Sequence, residues 1–164
     1  MFREMRRNKQ LLNHIDTEKV LYRATNGVLA CIGDMDYPYA VPMSFVYHMG
    51  RIYFHSAKQG HKIDAIQKNS KVSFAVIDED TIVSAEYTSY FRSVIAFGRA
   101  RIAEGEEHIE ALRALVEKYS ADQPVEAKEK AALDCQQTYL IALDIEHMTG
   151  KEAIEFVRAE RESK

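Results

Sequence analysis

Eight consecutive residues, His55-Ser56-Ala57-Lys58-Gln59-Gly60-His61-Lys62, bring together a hydroxyl, two imidazoles, two ammonium groups and a glycine. Ile52, Phe54 and Ser56 alternate before them as on a strand, and Ile63 and Ile66 follow at helical spacing. A strand therefore gives way to a helix where these groups stand. The first turn of a helix offers unpaired N–H groups and about half a positive charge, to which Lys62 adds a full one. Gly60 lets a ligand come close. The stretch has the chemistry of a phosphate site built from Ser56, Gly60, His61 and Lys62. The plainer account of the same residues is a solvated strand-to-helix loop whose glycine serves its backbone angle.

Two further groups of residues could complete such a site. Arg92-Ser93 places a guanidinium and a hydroxyl early in a long strand pattern, although ordinary strand alternation explains them equally well. In Val41-Pro42-Met43-Ser44-Phe45, the proline interrupts regular strand pairing and leaves nearby N–H and C=O groups free to bond a heteroaromatic edge. The six histidines show no metal-ligand spacing, and Cys31 and Cys135 form no CxxC pair, so no metal site is expected. The dinucleotide, P-loop, zincin and nucleophile-elbow motifs are all missing.

The elements that must hold these residues follow from composition and periodicity. The 164 residues are 46% hydrophobic with 22 basic and 25 acidic side chains, enough apolar material for one core and no basic excess for nucleic acid. A charged start and the lack of any long apolar run predict a cytoplasmic chain with no membrane span. Residues 1–15 read as a basic arm, and Asn13, Asp16 and Thr17 are candidate helix caps. Strands are expected at 28–32, 51–56, 71–77, 87–103 and 138–145, with a proline-bearing edge or bulged strand at 37–47. Helices are expected after Gly60, at 106–119 and at 124–132, and a helical tail at about 150–164. Sequential strands without alternating βαβ units predict one mainly β domain over 1–164, an antiparallel β-barrel with peripheral helices.

Six ordered blocks add a resemblance. They are Met5-Arg6-Arg7, Gly27-Val28-Leu29-Ala30, Tyr37-Pro38-Tyr39-Ala40-Val41-Pro42, Ile52 to Ala57 with Gly60 and Lys62, Arg92 to Ala100, and Thr149-Gly150-Lys151. The chain thereby resembles the pyridoxamine 5′-phosphate oxidase-related flavin-nucleotide-binding proteins, in the branch similar to nitroimidazole resistance proteins. The resemblance implies an FMN-binding split β-barrel, a homodimer with a flavin, FMN or FAD, near the subunit interface. It places the flavin phosphate on Lys62 with Ser56, Gly60 and His61, and on Arg92 and Ser93. Backbone contacts to the ring fall on Val41, Pro42, Met43, Ser44 and Phe45, and the resemblance puts His55 beside the reactive centre as the candidate catalytic residue, a donor or a covalent attachment point, with no orienting carboxylate identified for it. His61 occupies a position that is arginine in the broader oxidase group, a titratable donor in place of a permanent cation.

The expected function is accordingly a flavin-dependent oxidoreductase that passes electrons to a small acceptor such as a nitroaromatic. A flavin-binding or redox-sensing module without turnover is the first alternative. A haem-binding protein with His14, His55 or His147 as axial ligand is the second. The mixed charge of Glu155 to Arg161 disfavours vitamin B6 oxidation.

Overall fold

The computed structural model describes residues 1–162 of the chain. Helix α1 (His14–Arg23) begins on Asn13, whose side chain accepts the Asp16 N–H as the sequence suggests. Strands β1 (Asn26–Ile32), β2 (Pro38–Ser44), β3 (Val46–His48) and β4 (Arg51–Ser56) follow as a meander. Next come α2 (His61–Lys68), β5 (Lys71–Val83), β6 (Thr88–Ile102), α3 (Gly105–Tyr119), α4 (Val125–Asp134), β7 (Tyr139–Glu152) and α5 (Ile154–Glu162). The strands form one antiparallel sheet in the order β2-β1-β5-β6-β7-β4-β3.

The barrel expected from the sequence, split or otherwise, is not formed: the sheet stays open, with β2 and β3 as its two edges. Pro38 and Pro42 have the same parity on β2 and lack N–H groups, while the ladder from β2 to β1 is continuous over seven residues. The missing donors therefore fall on the outer side of β2, where a further strand would have to pair. At Phe45 the chain leaves the sheet altogether, because both backbone groups of that residue bond the Tyr119 hydroxyl. The single strand expected at 37–47 is thus two strands with a break.

Two other boundaries differ. β5 runs on to Val83 and β7 to Glu152, where the sequence predicts ends at 77 and 145. Both extensions pair with the long β6, which templates the polar run Asp144 to Glu152 that carries little strand signal of its own. The C-terminal helix consequently starts at Ile154, and residues 163–164 of the expected tail lie outside the described residues.

The main core joins Leu29, Phe45, Phe54, Phe74, Val94 and Ile141 to Val20 and Leu21 of α1 and Ile63 and Ile66 of α2. Phe74 meets Phe45 and Phe54 edge-on at 4.9 and 4.8 Å. A second cluster packs Val46, Tyr53, Leu140 and Ala142 against Ala111 and Leu112 of α3 and Ala132 of α4. The β3–β4–β7 end of the sheet is thus covered on both faces. The outward face of β1, β5 and β6 is not: Val28, Ile77, Ile95 and Phe97 remain exposed on it.

Candidate functional site

β4 ends at Ser56 and α2 begins at His61, so the strand-to-helix junction predicted from the sequence is present. Gly60 sits at φ +123°, a conformation that side chains disfavour, and open space surrounds the position where a Cβ would stand. Its carbonyl accepts the Ile63 and Asp64 N–H groups, leaving those of His61 and Lys62 without a partner inside the helix. Beside this turn lies a cleft of about 550 Å³. Its walls come from Pro42, Met43 and Ser44 of β2, from His55, Ser56 and Ala57, from Lys62, and from one face of α3.

Lys62 is half-buried in that wall, and among the described residues no carboxylate pairs with it. An ammonium drawn from water without a counter-ion favours an anionic ligand. Ser56 is buried and donates its hydroxyl to the Ala57 carbonyl at 2.9 Å. His55 points outward from β4, and among the described residues no carboxylate orients it. Opposite these groups Leu112, Leu115 and Val116 form an apolar wall. The sequence marks those three only as part of the amphipathic helix expected at 106–119.

Tyr119 closes one end of the cleft. Its hydroxyl receives the Phe45 N–H at 2.9 Å and lies 2.8 Å from the Phe45 carbonyl, with the Thr25 carbonyl as a second acceptor. Burial pushes the Tyr119 phenol up from its ordinary value, against the lowering effect of Phe45 and Ser44. Cys135, half-exposed, completes the lining, whereas Cys31 is buried. Neither Tyr119 nor Cys135 is marked by any local motif; an aromatic ending an amphipathic helix is the only signal for the first.

The remaining residues singled out in the sequence lie elsewhere. His61 turns away: its ring stacks on Tyr39 at 4.1 Å, and its Nε2 accepts the Asp34 N–H at 3.2 Å. Arg92 is held on β6 by Glu152 at 3.2 Å and Glu79 at 3.4 Å, over the Phe156 ring. Ser93 is paired within the sheet between Ile77 and Lys151. Val41 packs on the core, and Phe45 is fully buried there. His14 and His147 share a separate cleft with Glu18 and Glu146, far along the chain from His55. Among the described residues no three His, Cys, Asp or Glu side chains converge as metal ligands, and no helix is long and apolar enough to cross a membrane.

The family model described as pyridoxamine 5′-phosphate oxidase matches residues 14–152. No curated protein matches the chain. Among solved structures, a candidate 5-nitroimidazole antibiotic resistance protein from Bacteroides thetaiotaomicron is 24% identical, with 87% of this chain and 86% of that one aligned at a TM-score of 0.71. An FAD-binding protein from Mesorhizobium loti is also 24% identical over 88% and 97% of the two chains, with a TM-score of 0.62. A flavocytochrome from Azotobacter vinelandii is 22% identical over 92% and 72%, with a TM-score of 0.70. At these identities the likeness is one of fold.

Proposed function

The chain belongs to the pyridoxamine 5′-phosphate oxidase family, and from that premise we propose that the cleft beside α2 holds a flavin nucleotide and that the protein is a flavin-dependent oxidoreductase acting on a small acceptor. One observation carries the reading: Pro42, Met43, Ser44, His55, Ser56 and Lys62, separated by up to 20 positions, line a single cleft, and among the described residues no carboxylate pairs with the ammonium in its wall. The residues fit the group. About 550 Å³ lies within the usual range for cofactor sites, and an apolar wall with a few convergent polar groups is their usual lining.

Lys62 would hold the phosphate, joined by Ser56 once its hydroxyl turns from the Ala57 carbonyl to donate to the anion, and the backbone of Met43 and Ser44 the polar edge of the ring. Leu112, Leu115 and Val116 exclude water from one side of the cleft. His55 stands at the wall, placed to hold or move a proton at an imidazole nitrogen. When bound, a flavin supplies hydride and single-electron transfer, for which the protein provides position and electrostatics. We take FMN as the ligand; the adenosine of FAD would extend past the cleft. The acceptor class we assign is a flat, small nitroaromatic. A second copy of the chain, seated on the exposed face of β1, β5 and β6, would approach the cleft, because Pro42 pairs with Val28 of that face and also lines the cleft.

The missing carboxylate partner of His55 favours one second reading, a flavin-binding module without turnover. The two separate in an anaerobic stopped-flow experiment in which the photoreduced protein is mixed with 5-nitroimidazole. Saturable reoxidation that falls in Lys62→Ala in proportion to the flavin lost supports the oxidoreductase. Reoxidation no faster with acceptor than without it, across a panel of nitroaromatics, supports the module instead.

A further inference from the structure

Tyr119 ends α3 at a point where a strand rung is missing. The register of β1 on β2 pairs Gly27 with Met43 and Asn26 with Ser44, so the next rung would join Thr25 to Phe45. Both strands stop one residue short of it. The Tyr119 hydroxyl stands there instead, receiving the Phe45 N–H at 2.9 Å, with the Phe45 carbonyl at 2.8 Å and the Thr25 carbonyl as the two acceptors for its one proton. A phenol from 74 positions away is thus wedged into the ladder.

The wedge is backed by the same turn of α3. Lys118 sets its Nζ 4.2 Å from the centre of the Phe45 ring and donates to the Leu21 carbonyl of α1 at 3.3 Å, while the ring lies fully buried against Phe74. Phe45 is therefore gripped at its backbone by Tyr119 and at its side chain by Lys118. Ser44 stands directly before this fixed point. Sharing the parity of Pro38 and Pro42, it turns its N–H and carbonyl to the outer side of β2, away from β1. Pro42, Ser44 and Tyr119 all line the cleft beside α2, and the apolar wall of Leu112, Leu115 and Val116 comes from the same helix as the wedge.

We propose that Tyr119 is a positioning residue of that cleft: by holding the Thr25–Phe45 rung open it sets the angle at which the Ser44 backbone meets the polar edge of a flavin ring. The proposal rests on the flavin reading and concerns its ring end alone. Without the hydroxyl, the Phe45 N–H and the Thr25 carbonyl must bond each other or water, and either arrangement shifts Ser44. A flavin ring gathers negative charge on its polar edge when reduced, so a backbone donor placed there favours the reduced ring over the oxidised one. Lys62, at the phosphate end, favours neither.

The test measures dissociation constants of oxidised FMN, reduced FMN and oxidised riboflavin, with the midpoint potential of the bound flavin, for the wild type, Tyr119→Phe and Lys62→Ala. Tyr119→Phe is expected to weaken FMN and riboflavin by the same factor, and to weaken reduced FMN about tenfold more than oxidised FMN, a fall in potential of about 30 mV for two electrons. Lys62→Ala is expected to weaken FMN far more than riboflavin and to leave the potential in place. Lys118→Met, which frees the Phe45 ring from the same turn of α3, should lower the potential in the same sense and decides where Tyr119→Phe fails to fold. An unshifted potential in whichever of these two variants folds, or a Tyr119→Phe protein that loses FMN but keeps riboflavin, overturns the proposal while the flavin reading stands. A wild type that binds no flavin overturns both.

Discussion

Lys62 and Tyr119 act on the cleft in different ways. Removing an ammonium that bonds a phosphate costs about 1.5–3 kcal/mol, so Lys62→Ala should weaken flavin binding by roughly ten- to a hundredfold in a fluorescence titration. Lys62→Arg should retain most of it, and His61→Ala should change little, because His61 is spent on Tyr39 and Asp34. Tyr119→Phe takes the hydroxyl from the Phe45 N–H and carbonyl and should cost about 1–3 kcal/mol of stability in urea denaturation. Unchanged stability would mean that water replaces the hydroxyl at the strand break. Ser56 and Lys62 were legible in the sequence because a strand and a helix meet within a few residues and fix their relation. The settings of His61, Arg92 and Tyr119 were not, since Asp34, Glu152 and Phe45 stand 27, 60 and 74 positions away and no local pattern announces them.

At the level of elements, β6 and β7 are joined by two devices. The first is Gly98, where the register shifts and where any Cβ would overlap the Asp144 carbonyl oxygen. Gly98→Ala should therefore destabilise by about 3 kcal/mol or more, seen as a fall of several degrees in thermal midpoint. A glycine inside a strand pattern reads as close approach or bending, and at Gly98 it is the close approach to Asp144 that requires it. The second device is an ion cluster in which Arg101 bonds Glu107 at 2.7 Å and Asp144 at 2.7 Å, with Arg51 also on Asp144. Arg101 holds Glu107 below its ordinary value; burial raises Asp144, but its bonds to Arg101 and Arg51 outweigh that and lower it. Carboxyls lowered in the folded state stabilise it above their unfolded values, and the contribution is lost as pH falls through the folded ones. Stability should thus decline on acidification below about pH 4, and Arg101→Met should flatten that decline while lowering stability at pH 7. An identical pH slope in both proteins would assign acid sensitivity elsewhere. The polar ends of β5 and β7 escaped sequence reading because their strand character comes from pairing with β6, whereas the 51–56 strand carries its own alternation.

For the molecule as a whole, of the two readings of the proline-bearing strand, edge or bulged, β2 forms the edge, while the barrel inferred from strand order is not formed. Strand order cannot tell whether the last edge meets the first; the two prolines and the Tyr119 bonds to Phe45 decide that it does not. An open sheet leaves Val28 and Ile95 exposed, with Phe97 beside them partly covered by the Phe2 ring at 5.6 Å. The second copy proposed for that face predicts that the wild type is a dimer and that Phe97→Asp halves its mass in sedimentation, while a monomeric wild type would remove the face from the account. The central claim is that the cleft lined by Lys62, Ser56 and Met43 holds a flavin nucleotide. Gentle heat release of the small molecule from purified protein, followed by mass spectrometry and FMN titration of the stripped chain, addresses it most directly. A yellow ligand with the mass of a flavin nucleotide, rebound at about one per chain and weakened by Lys62→Ala, is the result expected. A stripped protein that binds neither FMN nor FAD, or binds them unchanged after Lys62→Ala, would contradict it.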